Sequence, residues 1–195
     1  CAEGPMAHGI NVALIGYTLA PDATLDQIVA EIHAGIDFLA GQLPALGGDR
    51  NGIVVSGWSA GGHLTAMALA HDWEKDGLPR DLIKGAVATS GVYDLQMVMQ
   101  ISVQEDVRMT PEIAAANSPI IHPPRVMCPL LVAVGGAEPK GWQQMSEDYF
   151  QFAKQNGMNA TYLVEPDANH YTMSEHLLDD RRPLTQAMIR QLGLS

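Results

Sequence analysis

Cysteine is nearly absent, with only Cys1 and Cys128 in 195 residues. Two thiols cannot build a disulfide framework, and theirs is not the spacing of a metal site. They read as ordinary reduced thiols. Basic residues are also scarce: 11 Lys and Arg stand against 22 Asp and Glu, for a formal charge of −11. No cluster of cations is dense enough to follow a phosphate backbone, so nucleic acid is not an expected partner. No apolar run nears the ~20 residues that span a bilayer, and the start lacks the basic, apolar, small-residue order of a signal peptide. A cytoplasmic protein without membrane contact is expected. No His/Asp cluster has metal-ligand spacing and the Gly-Gly-His at 61–63 offers one ligand at most, so no metal or cofactor is expected either.

What is present is apolar content, 47% of the chain, enough for one domain of this length to bury a core. Short apolar runs occur at 11–16, 53–55, 84–91, 129–136 and 160–165, and each reads as a buried strand. Between them lie helical patterns. Leu25, Ile28, Val29, Ile32, Ile36 and Leu39 recur at helical intervals, and Thr24 with Gln27 has capping-box spacing, which predicts a helix over about 25–43. Further helices follow Gly61, carry Trp142, Met145 and Tyr149, and end near Leu192. Strands alternating with helices predict an α/β fold: a mostly parallel sheet of five strands covered on both faces. The stretch 95–127, with Pro111, Pro119, Pro123 and Pro124, reads as a cap-like insertion within a single domain spanning 1–195.

Residues 52–64 read GIVVSGWSAGGHL, and within them Gly57-Trp58-Ser59-Ala60-Gly61 has the form Gly-x-Ser-x-Gly. Composition alone would produce that form about 0.07 times in such a chain, so the motif by itself is suggestive. Its setting adds weight, because an apolar strand runs into it and a helix runs out, as in a nucleophile elbow. Small neighbours relieve crowding at the serine, and the helix N-terminus favours developing negative charge.

A nucleophilic Ser59 needs an acid and then a histidine from the ends of later strands. Glu138 follows the run at 129–136 and His170 follows the run at 160–165, both where open parallel sheets gather functional groups. His170 would take the serine proton, and Glu138 would orient the imidazole. Asp94 also follows a strand and is the alternative acid; Glu165 and Asp167 lie close enough to His170 to compete. His63, four residues past Ser59, reads as a packing or hydrogen-bonding residue. His176 falls too far into the following helix, and His8, His33, His71 and His122 have no matching acid by position.

The stretches GWSAGGHL, YTLAPDATLDQIV, SGVYDL, VGGAEP and ANHYTM together resemble the kynurenine formamidase (arylformamidase) branch of the α/β-hydrolase superfamily, near the hormone-sensitive-lipase-like esterases. The likeness covers essentially the whole chain. It implies an α/β-hydrolase fold, with Ser59 as nucleophile, Glu138 as triad acid and His170 as base. The Ala60 backbone N–H is implied as one oxyanion-hole donor, and Trp58 is a candidate contact for a small acyl group.

Departures from the pattern carry information. Members often have Asp where Glu138 stands, and the related esterases have Arg in place of Thr18. The His-Gly-Gly loop that supplies further oxyanion amides does not occur in these residues. In the family topology its strand lies between those at 11–16 and 52–56. A further N-terminal segment of the same protein is therefore expected as a partner, with these residues forming its carboxyl-terminal part. The resemblance implies hydrolysis of an aryl formamide such as N-formylkynurenine, in tryptophan catabolism. A carboxylesterase for small acyl or aryl esters and a non-catalytic hydrolase-like binding module are the alternatives. A small-molecule acyl substrate is expected, and a homodimer is left open.

Overall fold

The structure, a computed structural model, describes residues 3–49, 52–100 and 104–193. Four strands form one sheet in the order β1 (Val54–Trp58), β2 (Gly85–Thr89), β3 (Leu130–Gly135) and β4 (Ala160–Glu165), every pair parallel. Strand order follows chain order, so each strand-helix-strand unit places its neighbour one step along the sheet.

The helices are α1 (Glu3–Met6), α2 (Leu25–Gln42), α3 (Ala60–Ala70), α4 (Gln104–Val107), α5 (Pro111–Asn117), α6 (Lys140–Gln155), α7 (His170–Glu175) and α8 (Pro183–Gln191). The start of α2 is set locally: Thr24 accepts from the Gln27 backbone N–H, and the Gln27 side chain accepts from the Thr24 N–H, which satisfies two otherwise orphaned donors. Ile28, Val29, Ile32 and Ile36 then form its buried stripe.

Two cores lie on opposite faces of the sheet. One joins α2, α3 and α6 through residues such as Ile32, Leu69, Trp73, Val132 and Tyr149. The other joins α7 and α8 to the sheet through Val87, Leu131, Met173, Leu184 and Met188. β2 and β3 are buried along their whole length, as strands covered on both faces must be. Buried Cys128 sits in the first core, and its surroundings push the thiol up to about 12, so it carries no reactive thiolate. Among the described residues no helix is long and apolar enough to cross a membrane.

One expectation fails. The run at 11–16 forms no strand, and the sheet among the described residues has four strands rather than five. A strand exists only by pairing, and this run packs on α2 instead, with Ile15 against Gly35; two residues beyond the run the Thr18 N–H donates to Glu31 Oε2 at 2.6 Å. A groove of about 580 Å³ separates it from β1, lined by Ile10, Leu14 and Ile15 on one side and by Val54, Val55 and Ser56 on the other.

The stretch 95–127 folds into short pieces: α4, α5 and two 3₁₀ turns at Leu95–Gln100 and Pro119–Ile121. Thr110 caps α5 and Pro111 opens it. Leu95, Val98, Met109 and Ala114 give it a small core of its own, and Asn117 fastens it to α2 through Asp26 Oδ1 at 2.7 Å.

Candidate active site

Ser59 sits between the last residue of β1 and the first of α3 with φ 58° and ψ −116°, a conformation few non-glycine residues adopt. The turn is held by the Ser59 N–H, which donates to the Thr89 carbonyl at the end of β2 (2.9 Å). Gly57 is required by space, since a Cβ there would overlap the Gly61 backbone carbonyl. Serine favours helix N-caps, yet the Ser59 hydroxyl makes no cap bond. It faces His170 Nε2 instead, at 3.0 Å.

His170 is the first residue of α7, and a second capping box fixes it. Asn169 accepts from the Tyr171 and Thr172 N–H groups, while Thr172 Oγ accepts from the Asn169 N–H. The other imidazole nitrogen, Nδ1, lies 2.9 Å from Glu138 Oε2. Glu138 lies in the turn after β3, closed by its own N–H to the Gly135 carbonyl and by Gln143 Nε2 donating to the Gly136 and Glu138 carbonyls.

The second Glu138 oxygen, Oε1, accepts from the Ser90 hydroxyl at 2.5 Å and from the Gly135 N–H at 2.8 Å. Burial by itself would raise this carboxyl, but hydrogen bonds from His170, Ser90 and the Gly135 N–H outweigh it and hold Glu138 below its usual value. A fully buried carboxylate, charged at neutral pH and aimed at one imidazole nitrogen, fixes that nitrogen as the protonated one. The other is then free to accept a proton from the Ser59 hydroxyl. Ala60 begins α3, so its backbone N–H points out of the helix N-terminus beside Ser59.

Trp58, expected as a substrate contact, packs its indole 4.9 Å from the His170 ring and donates its N–H to the His170 carbonyl at 2.7 Å. The rival acids lie elsewhere. Asp94 accepts from the Gln96 N–H and closes a local turn. Asp167 is exposed, and buried Glu165 lies 3.5 Å from His176. Two histidines expected to lack an acid have one, His8 with Asp180 and His71 with Asp76, because the folded chain brings together residues that strand-end position does not relate. Among the described residues only His170 joins an acid to a serine hydroxyl, and no group of three His, Cys, Asp or Glu side chains could hold a metal.

Three supporting residues went unread in the sequence: Ser90, Trp142 and Asn169. Asn169 with Thr172 had capping-box spacing and could have been found; Ser90 and Trp142 meet the site only through tertiary packing.

His63 is a core residue. Its Nε2–H donates to the Asn117 carbonyl at 2.7 Å, and burial, partly offset by that bond, lowers it to about 4. The unfolded chain binds this proton near pH 6.5 and the folded protein does not until about 4, so stability falls as pH drops through that window. The stability lost across that window is on the order of 3 kcal/mol. Urea midpoints measured from pH 7 to 4 are expected to decline, and less steeply in His63→Gln.

The chain belongs to the α/β hydrolase fold family, which matches it over residues 5–174. Among curated proteins it is similar to a kynurenine formamidase of Salmo salar, with 31% identity over 198 residues, covering 98% of this chain and 66% of that protein. A kynurenine formamidase of Danio rerio is 30% identical, with 96% and 64% covered. The chain thus spans slightly less than two thirds of the length of these relatives. Among solved structures, a candidate thioesterase from Silicibacter sp. superposes with a TM-score of 0.78 at 27% identity, covering 96% of this chain and 67% of that one.

Proposed function

We propose that these residues carry the acyl-transfer site of a serine hydrolase that cleaves an aryl formamide of the N-formylkynurenine type. The observation that carries the reading is the unbroken relay from Ser59 Oγ through His170 to Glu138, at 3.0 and 2.9 Å. In this reading Ser59 Oγ attacks the formyl carbonyl while His170 Nε2 takes its proton. The tetrahedral oxyanion rests on the Ala60 N–H, His170 returns the proton to the departing aryl amine, and a formyl ester remains on Ser59. Water then attacks that ester with His170 again as base, releasing formate and restoring the serine. The similarity to kynurenine formamidases supports the choice of a formamide.

The further segment of the same protein expected from the sequence belongs to this proposal. Its place is the groove beside β1, whose lining reaches Gly61, two residues past Ser59, so that a second oxyanion amide can arrive from there. A natural protein with an intact mass of 20.9 kDa that turns over as a monomer would overturn that part.

Turnover of N-formylkynurenine beside p-nitrophenyl acetate, with Ser59→Ala as control, tests the main reading. Preference for the formamide and loss of both activities in the variant are expected. Ester turnover alone would make the protein a carboxylesterase, and no turnover of either would leave a binding module.

A further inference from the structure

Two indole rings pack against the imidazole of His170. Trp58, the last residue of β1, lies 4.9 Å away at an interplanar angle of 40°; Trp142, in the first turn of α6, lies 4.8 Å away at 65°. Neither ring is free to turn. The Trp58 N–H donates to the His170 carbonyl at 2.7 Å, and the Trp142 N–H donates to the Ser90 carbonyl at 2.9 Å.

Each anchor joins two parts of the proton relay. Trp58 immediately precedes Ser59, so its bond ties the strand carrying the nucleophile to the backbone of the base. Ser90 is the residue whose hydroxyl holds Glu138, so Trp142 ties the support of the acid to the ring that the acid orients.

We infer that Trp58 and Trp142 are positioning residues that hold the His170 imidazole between Ser59 and Glu138 during acyl transfer. This rests on the serine-hydrolase reading above. It also explains why Trp58 stands beside the nucleophile without assigning it to the substrate: its N–H is already bonded to His170, and its ring already covers the imidazole.

The test compares Trp58→Leu, Trp142→Leu and the corresponding Phe variants in the natural protein. Leucine removes both the aromatic face and the N–H; phenylalanine keeps a ring. Each Leu variant is expected to lose on the order of 10-fold in kcat with KM within about twofold of native. The Phe variants recover most of that loss. The far-downfield proton resonance of the His170 Nδ1–H bonded to Glu138 weakens or broadens in the Leu variants and persists in the Phe variants, a signature independent of turnover. Leu variants that keep native kcat and an unchanged resonance would overturn the inference. So would a rise in KM at constant kcat, which would place the indoles on the substrate. Failure of the underlying reading shows itself separately, as turnover that survives Ser59→Ala.

Discussion

Ser59→Ala is expected to lower kcat by about 10⁴-fold or more while leaving the protein folded. Among the described residues no other hydroxyl faces His170 Nε2. Ser90 is fully buried and its hydroxyl already donates to Glu138. The variant keeps the elbow, because the turn is held by the Ser59 backbone N–H and by the room at Gly57 rather than by the hydroxyl, which caps nothing. The urea midpoint is therefore expected to match the native one within about 1 kcal/mol of stability. Steady-state rates on the better of the two assay substrates decide the point. Turnover within 10-fold of native would remove Ser59 from the chemistry.

Glu138→Gln is expected to give the second large effect, a loss of about 10³ to 10⁴ in kcat. The argument turns on who donates to whom. Ser90 O–H and Gly135 N–H both donate into Glu138 Oε1, so a glutamine must place its carbonyl oxygen there and its NH₂ toward His170. His170 Nδ1 then has to accept, which leaves the proton on Nε2, where the Ser59 proton should go. The side chain keeps its size and the site keeps its packing, but the base is in the wrong tautomer.

The same substitution carries a pH signature. Because Glu138 is held below its usual value when folded, its charge adds stability above the unfolded value near 4.5, and that share is lost as pH falls through the lower folded value. The stability difference between native and variant is expected to shrink on acidification below about pH 4.5. A difference independent of pH between 7 and 3 would contradict the assignment of Glu138 as a charged, multiply bonded acid.

The parts of this protein legible in the sequence are those that short-range chemistry decides. Thr24 and Gln27 cap α2 as their spacing requires, because a capping box is closed by residues three apart. The runs at 84–91, 129–136 and 160–165 became strands because apolar β-formers between helices have only a covered parallel sheet to enter. Ser59 was recognisable because an elbow is a local object, a strand, a strained turn with small neighbours, and a helix. Its strand ran to Trp58, past the reading of 53–55, since boundaries depend on where pairing with β2 stops.

The choice between Glu138 and Asp94 was not decided by position, as both follow strands. Tertiary structure decided it, by giving Glu138 the Ser90 hydroxyl, the Gly135 N–H and the His170 ring, and by giving Asp94 a local turn. Likewise the run at 11–16 has the apolar content of a strand, but apolar content supplies no hydrogen-bond partner. Across the groove from β1 the run packs Ile15 against Gly35 of α2 instead, and the Thr18 N–H just beyond it donates to Glu31. Sequence by itself determined the α/β alternation and the strand-turn-helix around Ser59, which rest on contacts within a few residues. Only the folded chain decided which acid meets His170, which indoles hold it and which strands pair, because those contacts join residues tens of positions apart.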